Sequence, residues 1–364
     1  MTASSRPDAD VARQGDTIQI EVPETYGAEE RVDKFLVRFF PKASRSKIQR
    51  SIKKGQALVN GADVKKSYPV QPGDTVICRL VRRPPMEATP ESIPLDVVYE
   101  DDHLLVVNKP AGMVVHPAPG HRSGTLVNAL LNHVDGQTVR RRGDDDLDDA
   151  DVGLSMLNAL PDRPGNRSVR PGIVHRLDKG TSGLLVVAKH DRAHRALARQ
   201  FKAHTTRRRY SAIVWGHFDP PSGQMEGAIG RDPHHRKRMA VVPEGKGKPA
   251  RTHYETTEHH AHTSLVRFRL ETGRTHQIRV HAQHAHHPVL GDPTYGGQTV
   301  CYGTQSGTRR RFFEHLFEAM PRPALHAQQL GFVHPETEEP LTFTADLPDD
   351  MQHVLNRLRE VEGA

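Results

Sequence analysis

The sequence predicts an α+β fold, with one largely antiparallel mixed β-sheet, flanking helices and a small α/β unit at the N-terminus. Predicted strands outnumber predicted helices, and many strands follow one another directly, which is typical of antiparallel sheets. Residues 184–188 form a continuous apolar run, which predicts a strand buried on both faces. A proline-rich stretch at residues 83–94 predicts a semi-rigid linker between two domains.

The composition favours a nucleic-acid partner. The 364 residues are enough for two or three domains at about 150 residues each. The formal net charge is +7 and the sequence pI is about 9.4, which points to a polyanionic partner. Residues 140–151 hold three arginines and six aspartates, so the rest of the chain carries a positive charge larger than +7. Charge alone does not establish RNA binding, since many basic proteins bind no nucleic acid.

The compartment signals favour a reducing cytoplasm. The two cysteines, Cys78 and Cys301, lie far apart and imply no disulfide framework. No apolar run reaches the roughly 20 residues of a membrane span. Residues 1–16 lack the apolar core of a signal peptide and predict a short disordered tail.

The first domain is predicted at residues 17–82. Alternating residues 17–22 predict a strand, and apolar residues at helical spacing predict a helix over 31–40 that Pro41 ends. A second helix is predicted from the candidate N-cap Ser44 to Lys53. Residues 57–61 predict a strand ending in an Asn-Gly turn, and residues 70–78 a turn and closing strand. The cationic side chains of this domain that we single out are Arg31, Arg45, Lys47, Arg50, Lys53 and Lys54.

The second domain is predicted at residues 95–350, with a closing helix and tail at 351–364. Residues 135–168 are acidic and turn-rich and predict a flexible surface insertion, with a short helix near 154–160. Residues 232–239 predict a basic loop, and residues 298–310 predict irregular chain. The remaining predicted strands are 97–99, 104–107, 184–188, 207–215, 251–257, 263–270, 325–332 and 341–344, and the predicted helices are 126–134, 191–202 with Asp191 as N-cap, one starting at Thr275, and 349–361.

The central stretch, residues 170–189, places a polar loop directly before the buried strand. Folds commonly present reactive groups on such loops. Asp178, between Arg176 and Lys179, is the candidate reactive carboxylate. The alternative is an ordinary turn, because Asp-Lys-Gly is also a favourable turn sequence.

Four ordered blocks stand out over about residues 95–347: 106–117 (VVNKPAGMVVHP), 175–178 (HRLD) followed by 181–183 (TSG), 209–210 (RY) and 273–281 (GRTHQIRVH). Together they resemble the motifs of the RluA-type pseudouridine synthases. Their order and spacing match that family, and the resemblance implies the pseudouridine synthase fold. It also implies isomerisation of uridine in RNA without a cofactor.

The first domain resembles the S4 RNA-binding domain. The matching positions are Arg31 with Asp33, residues 44–46, Gly55, residues 59–61 and residues 73–74. A basic helix against a small sheet offers cations to phosphates, and such contacts set affinity and register without reading sequence. The alternative is that these cations form a solvated helix face.

The resemblance also assigns roles at the site. Asp178 is the catalytic carboxylate, acting as nucleophile or as base in a glycal route, and Arg279 is its ion-pair partner. Tyr210 stacks on the target base and is the candidate acceptor of the C5 proton. Arg176 fills the space left by the flipped base. The alternatives are a surface arginine at position 279 and a core tyrosine at position 210.

Other polar residues leave more than one interpretation open. His116, Arg274 and His276 are candidates to line the pocket, with core or phosphate roles as alternatives. The 24 histidines raise the possibility of a structural zinc site. No His-Glu-x-x-His motif and no paired cysteines accompany them, so we expect no metal.

The expected function is therefore an RNA pseudouridine synthase, resembling most the RluD-like branch that acts on large-subunit ribosomal RNA. We expect a monomer whose partner is RNA, with no membrane association. The alternatives are a transfer-RNA enzyme, a non-catalytic RNA binder in ribosome assembly, and a glycosidase-like hydrolase. The motifs offer no clear second carboxylate for the last of these.

Overall fold

The computed structural model describes residues 10–14, 17–27, 30–40, 43, 45–80, 88–118, 120–133, 172–235, 238–303 and 307–362. The chain forms two compact units, Met1–Pro84 and Pro85–Ala364. The predicted insertion at 135–168, its helix at 154–160, Ser44 and most of the first half of the predicted linker lie outside the described residues. None of the described helices combines the length and apolar character needed to cross a bilayer.

The N-terminal unit is a small antiparallel sheet packed against two short helices. Its five-stranded sheet has the order β1-β2-β7-β4-β5, and β3 pairs with β6. Its elements are β1 (Asp10–Gln14), β2 (Thr17–Glu21), β3 (Glu30–Arg31), α1 (Val32–Phe35), a 3-10 turn (Leu36–Phe39), α2 (Arg45–Lys53), β4 (Ala57–Val59), β5 (Ala62–Asp63), β6 (Pro69–Val70) and β7 (Thr75–Arg79).

Local sequence explains most of this unit. The apolar faces of α1, the 3-10 turn and α2 are buried against the strands, as their spacing predicted; the fully or nearly fully buried residues are Val32, Phe35, Leu36, Phe39, Ile48 and Ile52. Asn60 and Gly61 have φ values of 53° and 79°, which suits a two-residue hairpin between β4 and β5. The predicted disordered tail is wrong for Asp10–Gln14, because this segment pairs antiparallel with β2.

The C-terminal unit contains an eleven-stranded mixed sheet. Its elements are β8 (Val97–Glu100), β9 (Leu104–Lys109), α3 (Leu126–His133), β10 (Gly172–Ile173), β11 (Ser182–Ala188), α4 (Asp191–Lys202), β12 (Arg207–Trp215), β13 (Ser222–Arg231), β14 (Met239–Val242), β15 (Lys248–His259), β16 (Thr263–Leu270), α5 (Gln277–His284), α6 (Gly307–Ala319), β17 (Leu325–Val333), β18 (Pro340–Thr344) and α7 (Asp349–Glu362). The main path is β14-β13-β15-β16-β12-β17-β11-β9-β8, with β10 beside β11 and β18 beside β17. Among the described strand pairs only β11 and β17 run parallel, so the predicted fold class is confirmed.

Strand β11 lies between two apolar layers, as its unbroken apolar run predicted. All seven of its residues are buried. Leu185 and Val187 join the main core with α3, α6 and α7, whereas Leu184 and Val186 join a second core with α4. Gly183, with φ of 117°, allows β17 to approach, since a Cβ there would lie 2.4 Å from the Ala327 carbonyl oxygen. The loop before β11 is therefore attached to the most buried strand of the unit.

Four local predictions needed correction. Residues 232–235 and 238 do form a loop, but it connects a hairpin, β13 and β14, that we had not predicted. Helix α6 begins at Gly307, inside the stretch predicted as irregular. The N-cap of α4 is His190 rather than Asp191, because the His190 ring accepts the Ala193 amide proton. Helix α5 begins at Gln277, two residues later than predicted.

Candidate active site

Asp178 lies in the loop between β10 and β11, and the backbone of that loop forms a turn. The Asp178 carbonyl oxygen accepts the Thr181 amide at 3.1 Å. The neighbouring carbonyls of Lys179 and Gly180 accept from the Gly112 amide at 2.7 Å and the Arg322 guanidinium at 3.3 Å. The turn interpretation and the reactive-carboxylate interpretation are thus compatible, since the turn uses the backbone and leaves the side chain available.

The expected ion pair between Asp178 and Arg279 is present. Arg279 Nη1 donates to Asp178 Oδ2 at 2.9 Å, from a position on α5 whose side chain is only 7% exposed. The Asp178 side chain retains 20% exposure, so the carboxylate can be reached from solvent. Arg279 is therefore not a surface arginine. It is a buried cation that forms an ion pair with the partly exposed Asp178.

Asp292 holds Arg279 from the other side, and the sequence interpretation missed it. Asp292 is fully buried and accepts from Arg279 Nε at 2.6 Å and from Nη2 at 2.9 Å. It also accepts the amides of Thr294 and Tyr295 at 2.9 and 3.2 Å. This bidentate contact fixes the plane of the guanidinium, so only Nη1 is presented to Asp178.

The electrostatics keep Asp178 and Arg279 charged. Burial would raise the pKa of Asp178, but His276, which is protonated at the acidic pH where this carboxyl titrates, and the Arg279 guanidinium outweigh burial and hold that pKa below its usual value. Burial would lower the pKa of Arg279, but its hydrogen bonds and charge interactions with Asp292 outweigh burial, so that this pKa lies above its usual value. At neutral pH the site thus offers an anionic carboxylate of fixed orientation.

Tyr210 and Arg208 point to the buried face of β12, alternating with the exposed Arg207 and Arg209. Tyr210 is 8% exposed. Burial raises the pKa of the Tyr210 phenol; the Arg208 charge opposes this rise and the Asp178 charge adds to it. Tyr210 is therefore within electrostatic range of Asp178 and carries its proton at neutral pH.

Arg176 and His116 occupy the same neighbourhood. Arg176 is exposed in the loop, and its charge helps to lower the pKa of Asp178. His116 is 7% exposed, and neither ring nitrogen has a hydrogen-bond partner in the described part of the chain. Burial, reinforced by Arg176, lowers the pKa of His116 to about 4, so its imidazole is neutral.

His276 adjoins Asp178 and is held by Tyr295. Its Nε2 is 3.9 Å from Asp178 Oδ2, and its Nδ1 is 2.8 Å from the Tyr295 hydroxyl. The Tyr295 ring lies 4.9 Å below the Arg279 guanidinium carbon, and its hydroxyl accepts the Met239 amide at 3.0 Å. Tyr295 was also missed, because nothing in the turn sequence at 291–297 signals these contacts.

Lys109 is a second buried cation near the site. It ends β9, is 1% exposed, and donates from Nζ to the carbonyls of Pro110 at 2.8 Å and Met113 at 3.0 Å. Burial lowers the pKa of this amine to about 7; Asp178 opposes the shift and Arg322 reinforces it. In the sequence Lys109 stands out only as part of the block at residues 106–117, and its burial was not expected because lysines are rarely fully buried.

Arg274 differs from the other candidates. Its Nε donates to the Pro249 carbonyl at 3.1 Å. Within the described residues it has no direct contact with Asp178, Tyr210 or Arg279. Structure therefore places Arg274 outside the group that surrounds the carboxylate.

In the N-terminal unit, two of the candidate RNA-binding cations have a structural partner. Arg31 Nε and Arg45 Nη2 pair with the fully buried Asp33 at 3.1 and 2.9 Å. Among the described residues, no ion pair is formed by the other four candidates, which are Lys47, Arg50, Lys53 and Lys54. Those four are more available to an external anion than Arg31 and Arg45.

The histidines in the described part of the chain show no arrangement for a metal. In the described ranges no group of three or more His, Cys, Asp or Glu side chains is placed to hold an ion. Several ring nitrogens instead bond to protein groups: His281 Nδ1 lies 2.9 Å from the Thr252 hydroxyl, and His287 Nδ1 lies 2.9 Å from the Trp215 carbonyl oxygen.

Comparison with known families identifies both units. A family model described as RNA pseudouridylate synthase matches residues 103–284, and one described as the S4 domain matches residues 30–76. Among solved structures, human RNA Pseudouridylate Synthase Domain Containing 4 aligns with a TM-score of 0.50 and 23% identity, covering 72% of this chain and 93% of that one. At this identity the alignment supports the fold alone.

Full-length relatives are considerably more similar. RNA pseudouridine synthase 2, chloroplastic, of Oryza sativa subsp. japonica is 46% identical, over 87% of this chain and 77% of the relative. An uncharacterized RNA pseudouridine synthase of Bacillus subtilis is 42% identical, over 91% and 95%. Ribosomal large subunit pseudouridine synthase D of Neisseria meningitidis serogroup A is 42% identical, over 92% and 80%.

Proposed function

The chain belongs to the RNA pseudouridine synthase family, and from that premise we propose that it isomerises uridine in large-subunit (23S) ribosomal RNA, with Asp178 as the catalytic carboxylate. The observation that carries the proposal is the ionised, partly accessible Asp178 held on a buried arginine. Relatives named for the large ribosomal subunit, aligned over about nine tenths of this chain, support the ribosomal target. We place the protein in the cytoplasm with its RNA.

The reaction is an internal rearrangement. The C1′–N1 bond breaks, the uracil turns, C5 bonds to C1′, the proton on C5 is lost, and N1, which carries no proton in uridine, gains one. Atoms and electrons balance within the nucleotide, so the reaction requires no oxidant and no transferred group. An anionic carboxylate close to C1′ serves either as nucleophile, forming a sugar ester, or as base in a glycal route. Both routes need the ionised state that Arg279 favours at Asp178.

Tyr210 and Arg176 have complementary parts in this proposal. The raised pKa of Tyr210 keeps its phenol protonated, which favours the stacking role over the proton-acceptor role. Arg176 is exposed two residues before Asp178, where it can enter the stack of bases as the target uridine leaves. The neutral, buried His116 beside Arg176 suits a hydrogen bond to the extruded base or its ribose.

The S4 unit supplies backbone contacts in the proposal. We expect replacement of Lys47, Arg50, Lys53 and Lys54 by glutamine to weaken RNA binding and to flatten its dependence on salt. Each lost phosphate contact should reduce the slope of log K against log salt by somewhat less than one. Filter binding between roughly 50 and 200 mM salt measures this slope.

Arg31 and Arg45 provide the comparison for that experiment. Replacing them by glutamine removes both cationic partners of the buried Asp33. This change should therefore act mainly on the stability of the unit and only weakly on the salt slope. If the salt slope stayed unchanged in the variant with all four replacements, these side chains would not contact RNA phosphates.

Mapping pseudouridines tests the proposed target directly. Ribosomal and transfer RNA would be isolated from cells with the protein, without it, and with the Asp178→Asn variant. We expect one or more large-subunit positions to lose pseudouridine in the second and third cases. If pseudouridine were lost only from transfer RNA, the substrate would be transfer RNA and the proposed ribosomal target would be wrong. If neither RNA pool changed, the proposed activity would be wrong.

A further inference from the structure

We infer that Tyr295 is a positioning residue that fixes the tautomer of His276, so that the imidazole presents its Nε2–H to the reacting nucleotide beside Asp178. The inference rests on the proposed function for the identity of that nucleotide. Tyr295 is 2% exposed and follows α5 by eleven residues in sequence. Its hydroxyl links the Met239 backbone amide of β14 to the His276 ring.

The hydrogen-bond order at Tyr295 follows from its neighbours. The Met239 amide can only donate, so the Tyr295 hydroxyl oxygen accepts that proton at 3.0 Å. The hydroxyl proton then has one acceptor within reach, which is His276 Nδ1 at 2.8 Å. If His276 instead carried its proton on Nδ1, the buried hydroxyl proton would have no partner in the described structure, which is costly.

The carboxylate favours the same tautomer. His276 Nε2 is 3.9 Å from Asp178 Oδ2. A proton on Nε2 faces this anion favourably, whereas a lone pair there would face it with like polarity. The distance exceeds that of a direct hydrogen bond, so the Nε2–H remains available to a group that enters the space beside Asp178.

The backbone at His276 is itself unusual. Its φ of 58° and ψ of 23° lie in the left-handed region, which a non-glycine residue adopts at a cost. His276 caps α5 without donating or accepting a side-chain capping bond, so the cost is not recovered by helix capping. This conformation directs the ring between Tyr295 and Asp178, which is the geometry that the inferred role requires.

Burial, more than the surrounding charges, favours the neutral form of His276. Burial lowers its pKa, Asp178 and Asp292 oppose the change, and Arg279 and Arg176 reinforce it. A neutral N–H donor suits the step in which the C1′–N1 electron pair passes to uracil, because negative charge then develops on the uracil carbonyl oxygens. Tyr295 would thus contribute to catalysis through His276, without itself contacting the substrate.

Tyr295→Phe tests the inference, because phenylalanine keeps the ring that packs on Arg279 and removes only the hydroxyl. We expect kcat to fall about tenfold with little change in KM, as for the loss of one hydrogen bond used in the transition state. Without the donated proton, Nδ1 can be protonated more easily, so the pKa of His276 rises. The acid limb of kcat/KM should therefore begin at higher pH in the variant than in the wild type.

Nitrogen-15 NMR of histidine-labelled protein gives a readout independent of activity. The His276 signals are identified by their absence in His276→Gln, and we expect the wild type to show a protonated Nε2 and an unprotonated Nδ1. Tyr302→Phe is the matched control, since its hydroxyl also lies near a histidine ring, at 3.3 Å from His287 Nδ1. It should leave the His276 signals and the pH profile unchanged.

Two results would overturn the inference. One is a wild-type spectrum with the His276 proton on Nδ1. The other is a Tyr295→Phe variant that loses activity while the pH profile and the His276 signals stay those of the wild type, which would indicate a purely structural role. If the protein modified no uridine at all, the proposed function would fail, but the spectra would still decide the tautomer.

Discussion

Asp178→Asn is expected to abolish uridine isomerisation while leaving the fold and most of the RNA affinity intact. Loss of a carboxylate that attacks or deprotonates the sugar should lower kcat by about 10⁴-fold or more. The asparagine side chain has nearly the same shape, and Asp178 is partly exposed, so the cost in stability should be small. Phosphate contacts elsewhere dominate affinity and are unchanged.

Tritium release from C5-labelled uridine in an RNA fragment measures the chemical step, and filter binding measures affinity. Asp346→Asn is a suitable control, because Asp346 is an exposed aspartate of the same unit with no described ion pair. It should behave as the wild type in both assays. If Asp178→Asn turned over within tenfold of the wild type, Asp178 would not be the catalytic carboxylate by either route.

The local pattern of apolar residues was sufficient to predict those helices and strands whose pattern is complete within the segment itself. Strands β11 and β12 and helix α7 were predicted within one or two residues, because their apolar runs or helical spacing are complete within the segment. The hairpin β13–β14 was missed because Ser222–Arg231 is rich in glycine and poor in β-branched residues. Strand β13 is also specified by its pairing with β15, which lies outside the segment itself.

The residues of the site also fall into those that the sequence indicated and those that it did not. Asp178 was a candidate from its polar loop before a buried strand, with an ordinary turn as the alternative. The roles of Tyr210 and Arg279 came only from the family resemblance, since sequence pattern alone does not distinguish them from a core tyrosine and a surface arginine. Asp292 and Lys109 were missed because their importance comes from burial. A sequence gives no direct sign that a particular carboxylate or amine is fully enclosed, and the usual expectation for both is exposure.

Asp292→Asn is the second change with a large expected effect, on stability as well as on catalysis. Arg279 is only 7% exposed, and Asp292 supplies two of its three described hydrogen bonds to carboxylates. The replacement removes the bidentate anion of a buried arginine and leaves it only the single contact with the partly exposed Asp178, which we expect to cost about 3–5 kcal/mol. For a unit of this size that corresponds to a fall in Tm of roughly 10 °C.

The matched control for Asp292→Asn is Glu258→Gln. Glu258 also binds an arginine through both oxygens, at 2.7 Å each, but its partner Arg359 is about half exposed. Solvent screens that pair, so its loss should cost at most about 1 kcal/mol and should leave turnover unchanged. Differential scanning calorimetry of both variants therefore separates the effect of burial from that of bidentate geometry.

The catalytic consequence of Asp292→Asn follows from the orientation of the guanidinium. With Nε and Nη2 no longer held by an anion, Arg279 can turn toward Asp178 and bind it through two nitrogens. The carboxylate would then be a weaker nucleophile or base, because more of its lone-pair density is engaged. We expect kcat to fall about 100-fold in protein that is still folded at the assay temperature, a loss of the size seen when a supporting contact of an active group is removed. If the variant unfolded earlier but turned over normally when folded, Asp292 would support the fold alone, and the orientation of Arg279 would have to come from its contact with Tyr295.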